Sequence, residues 1–150
     1  MKEKDQLAAL LPAQTILYAE RMSMPYLGYH LLRETLTNAL LGDSESPILY
    51  WLGKEIGRQI HIESEAGIIH PFMRLGLGQL DLVTSSDAET TYKLSHSIYQ
   101  YQSAERLCRT LSLEAGIIAG ALETWRQTEV VAKLEIDTSH TIQIIARSKK

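Results

Sequence analysis

The chain has a single cysteine among its 150 residues, Cys108. That excludes an intrachain disulfide framework and any multi-cysteine zinc site. It has no surplus of basic residues: 15 Lys and Arg stand against 18 Asp and Glu, a net charge of −3. Phosphate recognition needs a basic face, so nucleic acid is not expected as the main partner. No long apolar run is present either. The most apolar N-terminal stretch, Leu7 to Ala19, is interrupted by Pro12, Gln14 and Thr15, and the six residues before it are charge-balanced. Neither a signal peptide nor a membrane span is expected from such a pattern. A lone unpaired cysteine fits a reducing compartment, which makes the cytoplasm the expected location.

Catalytic motifs are equally scarce. Gly76-Leu77-Gly78 lacks the spacing and the lysine of a phosphate loop. There is no Gly-x-Ser-x-Gly elbow and no His-Glu-x-x-His. Five histidines (His30, His61, His70, His96 and His140) include no pair at i, i+3 or i, i+4. No helix therefore presents a two-histidine face, and no metal and no cofactor are expected.

What is present reads as one ordinary domain over residues 1–150, with frayed tails at 1–6 and 147–150. Hydrophobic residues make up 45% and charged residues 22%, enough for a core without a staple. From Leu27 to Leu41, apolar residues at 27, 31, 32, 36 and 40 keep a helical rhythm that Gly42 stops. Ser46 and Pro47 then suit an N-cap and first position of a helix to about Gln59. A short helix with Pro71 near its start is expected between Glu63 and Leu75, ended at Gly76–Gly78. The period then switches to two. Leu80, Leu82 and Thr84, followed after a turn by Tyr92, Leu94, His96 and Ile98, read as a hairpin with one wet face. Ser112 caps a helix to about Arg126 that is apolar on most sides and should be central. A second hairpin closes the chain, Val130 to Ile136 and Ile142 to Ala146. The order predicts α+β: an antiparallel sheet of about four strands with helices on one face.

Three features could carry function. Cys108 has no motif around it and is expected to contribute packing near a helix start. The pairs Gly53/Gly57 and Gly116/Gly120 lie four apart, a spacing that lets a helix lie close against a neighbour. On the helix from Pro47, Ile48, Leu49, Leu52, Ile56 and Ile60 form one stripe, with Tyr50, Trp51, Lys54 and Arg58 outside it. Either both rings lap over the core edge, with Arg58 stacked on Trp51, or the strip is an interface or ligand surface.

The run Ile48 to Arg58, with Leu32-Arg33-Glu34 and Leu41-Gly42 before it, resembles the YslB-like family, short proteins of unknown function from Gram-positive bacteria. Leu113 to Ala119 and Gly76 to Leu80 resemble further signatures of that family. The resemblance spans Tyr29 to Thr124 and marks Arg33, Glu34, Gly42, Gly53, Gly78, Glu114 and Gly116 as signature positions. The family is distantly similar to vinyl-reductase-type and TRAPP-type domains, which implies a dimeric α+β fold, in some cases holding an apolar ligand between helices and sheet. Vinyl-reductase-type domains often carry cysteines around the final hairpin. Here Glu135 to Ile142 has none. The expectation is a cytoplasmic homodimeric, non-catalytic module for an apolar small molecule or a protein partner. The alternative is an enzyme using Cys108 or a histidine on an apolar substrate.

Overall fold

The structure is a computed structural model and describes residues 4–149. The frayed ends expected at Met1–Glu3 and Lys150 lie outside the described residues. The rest of the expected tails is held in place. Gln6 donates to the carbonyls of His61 (3.0 Å) and Gly67 (3.1 Å), and Asp5 pairs with Arg74. Arg147 and Ser148 belong to the last strand.

The two period-two segments form strands β1 (Gln79–Ser85) and β2 (Glu89–Ser95), then β3 (Val130–Ile136) and β4 (Ile142–Ser148). They make one antiparallel sheet in the order β1-β2-β4-β3. Register puts Leu82, Tyr92, Ile144 and Leu134 in one cross-strand row, the kind of same-face contact that fixes pairing. A bulge between Leu82 and Thr84 shifts the end of β1 by one residue. Strand β2 ends at Ser95, so His96 sits in the following loop and not on a strand face as its alternation suggested.

Helix α7 (Ser112–Arg126) lies on the inner face of this sheet, mainly against β3, and is buried from Glu114 to Leu122. Ile117, Ile118 and Leu122 fill the space against Tyr92, Ile142 and Ile144. The helix is central because its residues from Ala115 to Leu122 are small or apolar on every side. Helix α4 (Glu45–Arg58) crosses its far side, and glycines make that possible. A Cβ built on Gly53 would stand 2.2 Å from the Leu113 carbonyl oxygen, and one on Gly116 would stand 2.2 Å from the Tyr50 carbonyl oxygen. Backbone touches backbone, as the two four-residue glycine spacings implied.

The remaining helices are α1 (Ala13–Ala19), α2 (Tyr26–His30), α3 (Leu36–Leu41), α5 (Ile69–Arg74) and α6 (Ala104–Thr110). A π-helical turn at Leu31–Thr35 joins α2 to α3, so residues 26–41 run as one helical arm. Gly42 ends it with φ +53°, a conformation L side chains rarely adopt. Two boundaries differ from expectation. Helix α4 starts at Glu45 behind a 3-10 turn, and Ser46 is not its cap: its hydroxyl meets that of Ser112 at 2.7 Å. Ser112 is likewise inside its helix, donating to the Cys108 carbonyl at 3.0 Å.

Candidate functional site: an inside-out helical arm over a buried ion pair

An amphipathic helix normally turns its apolar stripe to the core. The 26–41 arm does the reverse. Leu27 is 84% exposed and Leu40 73%, and Leu31, Leu32 and Leu36 join them on the solvent side. No residue of the arm is fully buried. Its inward face is polar: Tyr29, Arg33, Glu34 and Thr37. The helical rhythm expected from Leu27 to Leu41 is therefore present, but it faces outward.

The polar face lands on α4, α6 and α7. Arg33 Nη2 donates to both carboxylate oxygens of Glu114, each at 2.5 Å, and to the Thr110 carbonyl at 3.0 Å. Its Nη1 donates to the Tyr29 hydroxyl at 3.2 Å. The side chain of Glu114 is only 1% exposed, so this is a buried ion pair in which one guanidinium nitrogen sits between the two carboxylate oxygens. Burial pushes the Glu114 carboxyl above its ordinary value and Arg33 pulls it back. Burial also opposes the Arg33 charge, but Glu114 holds that group above the usual arginine value. Among the described residues Arg33 Nε is buried without a hydrogen-bond partner. Beside this pair, Arg106 Nη2 reaches Glu34 (3.0 Å) and its Nη1 reaches the fully buried Glu45 (2.9 Å).

Tyr26, Tyr29, His96 and Tyr99 close over the pair, with ring centroids 5.4 to 5.6 Å apart in successive contacts. The cavity they enclose with Gln102 and Leu111 is about 20 Å³. That is room for about one water and far from the roughly 300–1,000 Å³ of an organic-ligand site. A depression of about 640 Å³ beside His61, His70 and Arg74 is open to solvent. Of its two strong cations, Lys4 and Arg74, Arg74 is neutralised by Asp5 and Glu20.

The strip Tyr50, Trp51, Lys54 and Arg58 divides. The Tyr50 hydroxyl accepts from Ala132 N–H at 3.0 Å, covering the open edge of β3. Lys54 and Arg58 both pair with Glu123 of α7, at 2.9 and 2.8 Å, and Arg58 also binds Glu55. Glu123 further accepts Val130 N–H, a second plug on that edge. These three side chains stitch α4 to the body. Trp51 alone stays out, 61% exposed, and Ile48 and Leu52 are exposed beside it. The expected stripe is thus corrected. The inward face of α4 is Glu45, Leu49, Gly53 and Gly57, since contact with α7 admits only glycine there, and this turns Ile48 and Leu52 outward.

The signature positions fall into contacting pairs, Arg33 with Glu114 and Gly53 with Gly116, while Glu34 holds Arg106. Gly78 has φ +121°. Cys108 is exposed on α6, not packed at a helix start. Among the described residues no histidine hydrogen-bonds its sulfur. The histidines are scattered as well: His96 stacks on Tyr26, His140 meets the Gln102 carbonyl at 3.1 Å, and His61 lies near Glu63.

The sequence matches the model of a family described as protein of unknown function (DUF2507) over residues 26–147. The chain belongs to that family. It is also similar to the uncharacterized protein YslB of Bacillus subtilis (strain 168), 28% identical over 104 residues that cover 69% of this chain and 70% of that one. In three dimensions it resembles a vinyl-4-reductase family protein from Methanocaldococcus jannaschii with a TM-score of 0.64 at 21% identity. That match covers 100% of this chain and 99% of the other, and it shows the shared α+β fold. No helix of the described residues is long and apolar enough to cross a membrane.

Proposed function

We propose that this protein is a homodimeric, non-catalytic docking module whose self-interface is the outer face of the 26–41 arm together with the outer face of α4. The observation that carries this reading is the inverted amphipathicity of the arm. Five leucines face solvent while Arg33, Glu34 and Thr37 face the body, and Ile48, Trp51 and Leu52 are exposed on α4. Weighting the transfer energies of such side chains by their exposure and dividing by about 25 cal/mol per Å² gives on the order of 500 Å² of apolar area per protomer. A standard interface takes about 800 Å² from each partner, about 65% of it apolar in homodimers, which is the same amount. A two-fold axis would set each patch against its own copy. The dimeric habit of the domains the sequence resembles points the same way.

A protein partner fits this surface better than an apolar small molecule does. The space between α7 and the sheet is occupied by Ile117, Ile118, Leu122 and Tyr92, and the pocket under α2 is of water size. The lone cysteine, Cys108, fits a cytoplasmic setting.

Sedimentation equilibrium across micromolar concentrations tests the reading. Wild type should fit a monomer–dimer equilibrium. Trp51→Ala removes a central aromatic anchor, worth about 2 kcal/mol, and should weaken association about 30-fold. Lys133→Ala, on the wet face of the sheet, should leave it unchanged. A wild type that is monomeric throughout, or a folded Trp51→Ala with wild-type association, overturns it.

A further inference from the structure

We infer that the 26–41 arm is an order-on-assembly strap: it is loosely docked in the single chain and becomes fixed when a second copy covers its leucines. The inference rests on the dimer reading and adds its control. A helical segment of about 16 residues gains little stability alone in water, and no residue of this one is fully buried in the body. What holds it is polar: Arg33 to Glu114 and Thr110, Glu34 to Arg106, and Thr37 at 3.4 Å from Glu45. A buried ion pair roughly breaks even against its own desolvation, and among the described residues Arg33 Nε is left without a partner. Apolar contact in the docked arm is limited to the Tyr26 and Tyr29 rings beside His96 and to half-buried Leu41, little against the entropy of fixing about 16 residues. A second copy would supply that burial.

Binding to the docked arm alone must stabilise docking, and by reciprocity stronger docking must tighten the dimer. Arg33 and Glu114 face away from the partner, yet they set its affinity. They are positioning residues for the interface, and the π-helical turn carries Arg33 inward while Leu31 and Leu32 stay outside, a common setting for functional turns.

The test is amide hydrogen exchange of the full chain, with peptides spanning 26–41 compared to peptides of α7. Arm exchange should slow by about tenfold or more as concentration rises through the dimer transition, while α7 stays constant. In Trp51→Ala, whose substitution lies outside the arm, the slowing of arm exchange should move to about 30-fold higher concentration. Arg33→Ala should weaken the dimer without touching the partner. The double variant Arg33→Met with Glu114→Leu, which replaces the pair by apolar groups, should restore or tighten it. A wild type that never dimerises overturns the dimer reading and the strap together. A dimer whose arm is equally protected in monomeric Trp51→Ala, or whose affinity ignores Arg33→Ala, overturns the strap alone.

Discussion

Replacing Gly116 by alanine should destabilise this protein, although in a helix that substitution is ordinarily favourable. On propensity alone, Gly→Ala in a helix interior gains about 1 kcal/mol. At Gly116 the added Cβ would meet the Tyr50 carbonyl oxygen at 2.2 Å, Lys54 N at 2.9 Å and Gly53 Cα at 3.0 Å. All three are backbone atoms, so no side chain can swing aside. Relief requires α4 to move off α7 by about 1 Å along their whole contact, which loosens Leu49 and strains the Glu123 pairs. Overpacking of this kind costs about 1–3 kcal/mol and occasionally more, and a backbone clash belongs at the upper end. The net is a loss of about 2 kcal/mol, or roughly 4–8 °C in Tm for a chain of this length. Gly28→Ala is the matched control. Its Cβ meets only the flexible end of Met24 at 3.0 Å, so the same substitution there should be neutral or stabilising by up to about 1 kcal/mol. Urea and thermal unfolding of both variants decide the matter. Gly116→Ala as stable as wild type would refute the close crossing of α4 and α7.

Glu123 titrates in a second prediction. Burial alone would push its carboxyl up, but hydrogen bonds from Lys54, Arg58 and Val130 N hold it at about 2. A depressed folded value means stability that is present above the ordinary 4.5 and lost as pH falls toward about 2. Glu123→Gln should cost about 1–2 kcal/mol near neutrality after allowance for solvent screening. The gap to wild type should close in acid, as read by urea midpoints across that range. Cys108→Ser should change stability by no more than about 0.5 kcal/mol, and the native thiol should react with a thiol reagent without prior unfolding. A protected thiol would contradict its exposure on α6.

Period and spacing carried most of the architecture. The alternation around Leu80 to Leu94 and Val130 to Ala146 was enough to place both hairpins, because a one-residue slip would turn every inward side chain to water. The two glycine pairs announced a close helix crossing, which is what α4 and α7 make. Facing was not legible. At 100° per residue Leu36 and Leu40 lie half a turn from Leu27 and Leu31, and the π-helical turn at Leu31–Thr35 that breaks this period has no sequence signal. The rhythm does not show that the leucines look away from the core. That depends on Glu114, 81 residues from Arg33, and no local pattern joins the two. Their joint presence among the family's signature positions was the one available signal. On α4 the hydrophobic pattern points Ile48 and Leu52 inward because glycine carries no hydrophobic weight, although Gly53 and Gly57 form the contact with α7. Helix α6 was missed despite a readable start, since the Ser103 hydroxyl caps it by accepting from Arg106 N. Helix α1 lies behind Pro12 and packs only Ile16 against the core, so it leaves little periodic trace.

The dimer reading is tested most directly at Trp51 itself. In a Trp125→Phe chain, Trp51 is the only tryptophan, and in the single chain it is 61% exposed. Its emission should be blue-shifted at high protein concentration, where the second copy covers it. It should move to the value of a solvated indole on dilution through the micromolar range, returning when the protein is concentrated again. Emission that stays at the solvated value up to the highest attainable concentration would contradict the assignment of this face to a second copy of the chain.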